Sequence, residues 1–474
     1  MVVRTSSYAP PPQVGDAAKT AQRDWLRALD SIAPIAAEPQ RLLLHVIEDL
    51  ARASPGAPGL ISSIESFTYG ALAARANAYA RWAIAQRIAE SEIVCLMMPN
   101  QPEYLAVWLG LSAIGIVVAL INTQLRGSSL AHCIDTAAPT HMIVAAEFSD
   151  RLQSSAASLK TRPRIWSHGA SDAFERIDQA VAGFSGSALS ASERRSVTIA
   201  DRALLIYTSG TTGLPKAANV SHRRVLLWSF WFAGLINTGP RDRIYNCLPM
   251  YHSIGGIVAT GAALVRGGSV LIRDKFSAQQ FWDDIADGGC TIFQYIGELA
   301  RYLVNAPPHP REREHLLRLA CGNGLRGDVW EKFQARFAVP RILEFYASTE
   351  GNFSLYNVEG RVGAIGRVPS FLRHRFPLAL VKFDEEGGAP VRGTDGLCVR
   401  CLSGEVGEAL GRIRGGSSGV GSEFEGYSEA AQSEQKILCH VFEKGDAWYR
   451  TGDLMRVDES GFYYFVDRVG DTFR

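Results

Sequence analysis

The stretch of the sequence best suited to chemistry is YTSGTTGLPKAA, residues 207–218, which directly follows the apolar run ALLI. Its glycines leave backbone N–H groups uncovered, four hydroxyl side chains add small donors, and Lys216 adds a mobile positive charge. Exposed backbone N–H groups form a concave anion site, for which phosphate is a frequent ligand. The stretch therefore predicts a loop that binds phosphate groups.

This loop differs from the Walker A loop, G-x-x-x-x-G-K-[ST], which leads into a helix. Pro215 precedes the lysine, Ala217 follows it, and the glycines stand at other positions. The residues AANV that come next have the pattern of a short strand. Ser221 is then placed to cap a helix that runs through HRRVLLWSFWF. We therefore predict a strand, a phosphate loop and a second strand.

The elements that position this loop alternate between helical patterns and apolar strand patterns, which predicts an α/β fold with mostly parallel sheets. A polar segment, residues 182–196, is interpreted as a surface loop or a joint between two α/β subdomains. Short strands separated by Gly and Asp turns follow from about residue 375 and predict a small β-barrel or β-sandwich, with a mobile loop at residues 413–427. The predicted domains are a poorly ordered N-terminus (1–24), two α/β subdomains (25–374), a β-barrel subdomain (375–466) and the start of a hinge (467–474).

The bulk composition is that of a globular chain too long for one core. It has 474 residues, 47% of them hydrophobic, a net charge of +1 and a mean hydropathy near zero. This charge provides no electrostatic reason to expect nucleic acid as a partner. Eight cysteines are scattered along the chain, and the N-terminal residues lack the apolar core of a secretory signal. We therefore expect reduced thiols in the cytoplasm.

One apolar segment, residues 105–122, approaches the length of a membrane span. Gly110 and Gly115 interrupt it, Pro102 and Glu103 look like a helix start, and its second half, IVVAL, is strand-like. A buried helix followed by a buried parallel strand is the favoured interpretation. A pure membrane transporter is therefore disfavoured, whereas peripheral contact with the inner face of a membrane stays open.

The string YTSGTTGLPK is similar to the phosphate-binding signature of the adenylate-forming (AMP-binding) superfamily. Further strings resemble its fatty acid transport protein/very-long-chain acyl-CoA synthetase branch: LPMYHSIGGIV, CTIFQYIGELARYL, CGNGLR, EFYASTEGN, TGDL and FVDRVGDTFR. They occur in the same order as in that branch, and the resemblance runs from about Trp25 to the last residue. It implies the large N-terminal domain of the adenylate-forming fold.

The resemblance also implies which residues bind the phosphates and take part in catalysis. The residues that would hold the β- and γ-phosphates of ATP are Thr208, Ser209, Gly210, Thr211, Thr212, Gly213 and Lys216. Thr349 would contact the α-phosphate and Glu350 would bind Mg²⁺, and these two residues together with Lys216 are the implied catalytic set. Oxygen ligands suit Mg²⁺, which supports the assignment of Glu350.

The rest of the implied site surrounds the nucleoside and the acyl chain. Tyr346 would stack on adenine, although Ala347 follows it where the superfamily has glycine. The segment Gly322, Asn323 and Gly324 would line the adenine and acyl-carbonyl side. Asp453, assisted by Arg468, would accept the ribose hydroxyls, although Asp453 is also suited to forming a turn. His252 would border an acyl tunnel or simply pack, and the aromatic run Leu226–Gly234 fits either a tunnel wall or the core.

The residue types suit the activation of a carboxylate, whose own leaving group would be oxide. Attack on the α-phosphorus of ATP forms an acyl-adenylate, from which AMP leaves readily. Because two anions must meet, catalysis depends on positioning and charge neutralisation. The resemblance thus implies a long- or very-long-chain fatty acid–CoA ligase that uses ATP, Mg²⁺ and CoA and is linked to fatty acid uptake.

The sequence stops at Arg474, just past Gly470 and Asp471, where the family has its interdomain hinge. The resemblance implies that relatives continue through a small C-terminal domain of roughly a hundred residues. Two alternatives to the ligase stay open: a shortened nucleotide- or acyl-binding remnant with little ligase activity, and a ligase for another bulky carboxylate such as a bile acid. Acyl chain length and oligomeric state are left open by the sequence.

Overall fold

The structure, a computed structural model, describes residues 14–208, 213–413 and 424–469, with side chains from residue 20 onward. The helices are α1 (Val14–Ile32), α2 (Leu43–Ala53), α3 (Tyr69–Ala85), α4 (Pro102–Ala113), α5 (Gly127–Ala137), α6 (Ser149–Ser155), α7 (Ile177–Ala182), α8 (His222–Leu235), α9 (Ala259–Leu264), α10 (Phe281–Asp287), α11 (Gly297–Asn305), α12 (Gly327–Phe337) and α13 (Ala430–Glu434). The strands are β1 (Pro58–Ile61), β2 (Ser66–Thr68), β3 (Ile93–Met97), β4 (Val117–Leu120), β5 (His141–Ala145), β6 (Arg164–His168), β7 (Glu175–Arg176), β8 (Arg202–Thr208), β9 (Lys216–Ser221), β10 (Arg243–Asn246), β11 (Ser269–Ile272), β12 (Ile292–Ile296), β13 (Leu319–Asn323), β14 (Ile342–Tyr346), β15 (Leu355–Asn357), β16 (Gly366–Arg367), β17 (Leu378–Asp384), β18 (Ala389–Pro390), β19 (Val406–Arg412), β20 (Ile437–Cys439), β21 (Ala447–Val457) and β22 (Phe462–Arg468).

Two mostly parallel sheets form the larger part of the fold. Within the described ranges, the first has the strand order β15–β14–β13–β12–β10–β11–β1–β2 and is parallel except for its two edge strands. The second has the order β7–β6–β5–β3–β4–β8–β9 and is parallel except for the β8–β9 hairpin. Continuous apolar runs such as IVCLM in β3 are buried, as expected for parallel strands covered on both faces. The predicted α/β fold is confirmed.

The third sheet is antiparallel and follows from residue 366. Its strand order is β16–β22–β21–β19–β17–β18, with β20 paired to β21. The sequence predicted a small β-barrel or β-sandwich here. In the part of the chain that is described, no pairing joins β16 to β18, so the sheet is open and no closed barrel is found. These edge strands have two residues each, too few to carry the register shift that closes a barrel.

The N-terminal prediction also needs correction. Helix α1 begins at Val14, within the range 1–24 that was expected to be poorly ordered, whereas residues 1–13 lie outside the described part. Apolar residues at helical spacing, Ala21, Trp25 and Ala28, are at most 3% exposed. Because this apolar face packs on α8, burial outweighs the polar composition of the segment.

The polar segment 182–196 does not separate the two parallel sheets. Strands β8 and β9 follow it but complete the sheet of β3 and β4. Strands β1 and β2 precede it but join the other sheet through β11. On α3, Arg81 donates hydrogen bonds to the carbonyl groups of Ser185 and Ser187. The segment is therefore a surface loop that α3 holds.

The apolar segment 105–122 forms most of α4 and then β4, which pairs in parallel with β3 and β8. This confirms the predicted helix and buried strand. Gly110 allows α4 to approach α3, since a Cβ atom there would lie 2.1 Å from the carbonyl oxygen of Ala76. Among the described helices, none is both long and apolar enough to cross a membrane.

Candidate active site

The predicted phosphate loop joins β8 to β9, which are antiparallel neighbours. Thr208 ends β8 and lies opposite Lys216, the first residue of β9. The hydroxyl of Ser221 accepts a hydrogen bond from the backbone N–H of Arg224 at 3.2 Å and caps α8. The predicted strand–loop–strand order and helix cap are therefore confirmed. Of the loop itself, Gly213 has a φ of +93°, and Ser209, Gly210, Thr211 and Thr212 lie outside the described residues.

Lys216 points into the protein and is 5% exposed. Its Nζ atom lies 5.6 Å from the centre of the Tyr427 ring, a cation–π geometry. The Tyr427 hydroxyl donates a hydrogen bond to Oε1 of Glu350 at 2.9 Å. Burial and the adjacent carboxylate raise the pKa of Tyr427, so the phenol keeps its proton as a donor. Tyr427 thus links the lysine predicted for the phosphates to the carboxylate predicted for Mg²⁺.

The residues predicted for the α-phosphate and the metal follow β14 across the carboxyl end of the first sheet, where α/β proteins bind their ligands. The backbone oxygen of Thr349 accepts a hydrogen bond from Nη1 of Arg224 at 2.6 Å. Its Oγ1 atom lies 3.1 Å from Oγ of Ser253. Glu350 is 9% exposed. Helix α8 and the segment before α9 therefore hold Thr349 in place.

Asp453 lies in β21 beside Arg468 of β22, and it is 2% exposed. It accepts hydrogen bonds from the Tyr346 hydroxyl at 2.5 Å and from Nε of Arg468 at 2.9 Å. The structure therefore brings together Tyr346, Asp453 and Arg468, three of the residues that the resemblance assigned to adenine and ribose. In this arrangement the Tyr346 ring stacks on Phe353 at 5.9 Å.

A buried ion pair supports the turn before Asp453. The carboxylate of Glu408, fully buried, accepts hydrogen bonds from Nη2 of Arg450 at 2.7 Å and from the N–H of Gly452 at 3.3 Å. Gly452 itself has a φ of +75°, in the region that favours glycine. The Glu408–Arg450 pair was not foreseen from the sequence, although Arg450 directly precedes the TGD string.

The segment Gly322–Gly324 lies at the carboxyl end of β13, next to β14. Below it, the Glu344 carboxyl accepts hydrogen bonds from the Tyr295 hydroxyl at 2.5 Å and the Leu325 N–H at 3.0 Å. Burial raises the pKa of Glu344 to about 8. Oδ1 of Asn323 is buried without a hydrogen-bond partner in the described residues.

His252 keeps solvent access while the surrounding protein lowers its pKa through desolvation. It precedes a wide helical turn, Ile254–Val258, whose glycines pack closely on residues 248–250. On α8, Trp228 and Phe232 lie one turn apart and face the same space. Leu226 and Trp231 instead belong to the core. The aromatic run thus forms both a cavity wall and part of the core.

One cavity of about 470 Å³ joins these elements, a size typical of small-molecule sites. The predicted residues that line it are Thr208, Lys216, His252, Thr349, Glu350, Asp453 and Arg468. Its apolar wall consists of Trp228, Phe232, Ile254, Val258, Phe345 and Tyr356. Gly322, Asn323, Gly324 and Tyr346 are not in its lining. The cavity therefore combines cationic side chains, buried carboxylates and an apolar wall.

No cluster of three metal-ligating side chains is found in the described ranges. Mg²⁺ in nucleotide sites needs none, because one or two carboxylates, substrate phosphates and water complete its coordination. Glu350, close to the phosphate side marked by Lys216, fits that donor set.

A family model described as AMP-binding enzyme matches residues 47–404. The long-chain fatty acid transport protein 2 of Rattus norvegicus is 38% identical over 449 residues, covering 92% of this chain and 70% of that protein. The long-chain fatty acid transport protein 1 of Mus musculus is 37% identical over 471 residues, covering 96% of this chain and 72% of that protein.

Among solved structures, an anthranilate CoA ligase in complex with anthranoyl-AMP superposes with a TM-score of 0.75. The two are 20% identical, and the match covers 90% of this chain and 78% of that one. At this identity the likeness concerns the fold.

Proposed function

Because the chain belongs to the AMP-binding enzyme family, we propose that it joins long- or very-long-chain fatty acids to CoA with ATP, releasing AMP and pyrophosphate. It is an AMP-forming ligase of the acyl-CoA ligase type, and the fatty acid transport proteins are its relatives. The acyl substrate and the link to uptake are the proposed parts.

The observation that carries the proposal is the continuity of the cavity. The same cavity is lined by Thr208 and Lys216, by Thr349 and Glu350, and by Asp453. An apolar wall that includes Trp228 and Phe232 completes it. A nucleotide and a fatty acid carboxylate have these same requirements: cations for phosphates, an acceptor for ribose hydroxyls and apolar surface for an alkyl chain.

In the first step, a carboxylate oxygen of the fatty acid attacks the α-phosphorus, and the bond to the bridging oxygen of the β-phosphate breaks. Pyrophosphate leaves and the acyl-adenylate remains. Lys216 neutralises the charge on the departing phosphates, and Thr349 donates to an α-phosphate oxygen through its hydroxyl. Asp453 accepts the ribose hydroxyls and thereby sets the line of attack.

Glu350 would hold Mg²⁺, which supplies positive charge to the phosphate oxygens. The Tyr427 hydroxyl orients this carboxylate, because its hydrogen bond occupies Oε1 and leaves Oε2 for the metal.

In the second step, the CoA sulfur attacks the acyl carbon, the bond to the AMP oxygen breaks, and the thiol proton goes to solvent. The thioester is too polar to return across a bilayer, so activation would trap a fatty acid that has entered. The lipophilic substrate also suggests peripheral contact of the protein with the inner face of a membrane.

The test is ATP–pyrophosphate exchange by this chain with saturated fatty acids of increasing length. We expect exchange that depends on the fatty acid and is abolished by Glu350→Ala. The matched control is Glu147→Ala, which removes an exposed carboxylate outside the cavity and leaves exchange unchanged.

Three results would contradict the proposal. Exchange driven by a bile acid but not competed by long-chain fatty acids would identify another substrate. ATP binding without exchange would favour a binding protein. Exchange that survives Glu350→Ala would remove the role assigned to that carboxylate.

A further inference from the structure

A second lysine, Lys436, lines the same cavity and has no role in the proposed reaction so far. It directly precedes β20 and is half-buried. Its Nζ atom donates a hydrogen bond to the backbone oxygen of Thr451 at 3.3 Å and lies 5.9 Å from the centre of the Tyr449 ring. The side chain therefore rests on the turn that leads to Asp453.

The groups that face Lys436 are charged. Carboxylates of Glu350, Asp453 and Glu408 attract the ammonium, and Lys216 repels it. Each carboxylate already has another donor: Tyr427 for Glu350, Arg468 for Asp453 and Arg450 for Glu408.

The ammonium group of Lys436 therefore has fewer hydrogen-bond acceptors than donors. It has three donors, yet the described residues provide one hydrogen bond, to a carbonyl group, and no ion pair at contact distance. Burial lowers the pKa of Lys436, and the three carboxylates only partly oppose this effect. Removing an ammonium from water without a paired anion is unfavourable, and a bound anion would offset that cost.

The position of Lys436 indicates which part of a nucleotide it would meet. It rests on the turn of Asp453, assigned to the ribose, and it lines the same cavity as Lys216, assigned to the β- and γ-phosphates, whose charge acts on it. In ATP the α-phosphate connects these two parts. A cation that rests on the Thr451–Gly452–Asp453 turn and lies within electrostatic range of Lys216 would therefore be beside the α-phosphate of a nucleotide bound in this way.

We propose that Lys436 is a second phosphate-binding cation of the site and contacts the α-phosphoryl group, at the ribose end of the phosphate chain. This inference rests on the proposed function. Lys436 then neutralises charge at the phosphorus that the fatty acid attacks, while Lys216 acts on the leaving pyrophosphate.

The test compares the affinities of AMP, ATP and adenosine by titration calorimetry. We expect Lys436→Met to lower the affinities for AMP and ATP about tenfold or more, since hydrogen bonds to charged groups contribute this much. Adenosine, which has no phosphate, should bind with unchanged affinity. Lys436→Arg keeps the charge and should retain most of the AMP affinity.

Two control variants separate this role from others. Lys216→Met should lower the affinity for ATP more than the affinity for AMP, because it removes a cation from the β- and γ-phosphates. Lys444→Met removes an exposed lysine and should change none of the affinities.

The inference is overturned if Lys436→Met lowers the affinity for adenosine as much as the affinity for AMP, since the lysine would then only support the Asp453 turn. An unchanged AMP affinity in Lys436→Met, or an AMP affinity in Lys436→Arg as low as in Lys436→Met, also overturns it. If the unmodified chain binds neither AMP nor ATP, it is the proposed function that fails.

Discussion

At the residue scale, tyrosines control the buried carboxylates of the site. Tyr427 donates to Glu350, Tyr346 to Asp453 and Tyr295 to Glu344. Burial raises the pKa of each of these phenols, so all of them stay protonated as donors. A hydrogen bond to a carboxylate fixes its direction. The tyrosines thus orient these carboxylates, and that orientation could not be predicted from the sequence.

Replacing Tyr427 with Phe should raise the Mg²⁺ concentration needed for half-maximal pyrophosphate exchange by about tenfold, because a hydrogen bond to a charged group is lost. The aromatic ring under Lys216 is retained, so the melting temperature should change little. A magnesium titration of the exchange rate measures this effect.

Tyr464→Phe is the matched control, since its hydroxyl donates to Asp458 away from the cavity. An unchanged magnesium requirement in Tyr427→Phe would show that Glu350 needs no help from Tyr427.

Glu344 should make stability depend on pH. Its pKa rises from an ordinary 4.5 to about 8 in the folded chain, so ionisation is unfavourable in the fold. The free energy of unfolding is therefore highest below about pH 4.5 and falls as the pH rises to 8. The decrease is at most about 5 kcal/mol, at roughly 1.4 kcal/mol per pKa unit. Glu344→Gln should flatten the melting temperature between pH 5 and pH 8.

The exposed substitution Glu331→Gln on α12 should keep the pH dependence of the parent chain. If Glu344→Gln also keeps it, then another group is responsible for the pH dependence.

At the element scale, the aromatic run of α8 lies partly in the cavity wall and partly in the core. Trp228 and Phe232 face the cavity, whereas Trp231 contacts Trp25 of α1 at 5.8 Å between ring centres. The first turn of α8 also contains Arg224, whose Nη1 atom donates a hydrogen bond to the backbone oxygen of Thr349. Helix α8 thus contacts the β8–β9 hairpin, lines the cavity and packs against α1. Sequence spacing put these residues on a helix but not on particular faces of the fold.

Trp228→Ala should enlarge the apolar end of the cavity and shift the exchange preference toward longer or bulkier acids. Burial contributes about 0.8 kcal/mol per CH₂ group, so room for two more carbons should change relative kcat/KM about tenfold. Exchange rates across the fatty acid series measure the shift.

Phe230→Ala is the control on the same helix, because Phe230 lies against Arg266 outside the cavity lining. A chain-length profile that is identical in Trp228→Ala and the parent would place the alkyl chain elsewhere.

At the scale of the whole molecule, α1 connects parts that are distant in sequence. The Trp25 ring contacts Trp231, Tyr356 and Phe376 at 5.7 to 6.0 Å between ring centres. These residues come from α8, from β15 and from the segment between β16 and β17 of the antiparallel sheet. The first parallel sheet likewise recruits β1 and β2 from the N-terminal part of the chain. The sheets are therefore interleaved in sequence, and the aromatic cluster joins them.

Trp25→Ala should lower the melting temperature by about 5 °C or more, since large-to-small substitutions of buried aromatic residues leave cavities. Thermal denaturation followed by circular dichroism measures the change. Leu26→Ala, at the neighbouring position with 45% exposure, should alter it by about 1 °C or less. Equal effects of the two substitutions would mean that α1 does not stabilise the rest of the fold.

The sequence by itself determined the local order of this protein. Patterns of neighbouring residues predicted the α/β alternation, the β8–β9 hairpin, the Ser221 cap and the buried α4–β4 segment. The strings around Lys216, Glu350 and Asp453 likewise predicted a site through their resemblance to the adenylate-forming superfamily, and all three residues line one cavity. Such features depend on neighbours in the chain, which a sequence displays directly.

Only the tertiary structure decided which distant residues meet. Tyr427 and Lys436 lie outside the recognised strings, yet folding brings the hydroxyl of one to Glu350 and the ammonium of the other to the turn before Asp453. The open third sheet and the ordered α1 also depended on long-range pairing and burial rather than on composition. Hydrogen bonds and desolvation act through space over a few ångströms, and the chain positions that share such a space are set by the whole fold.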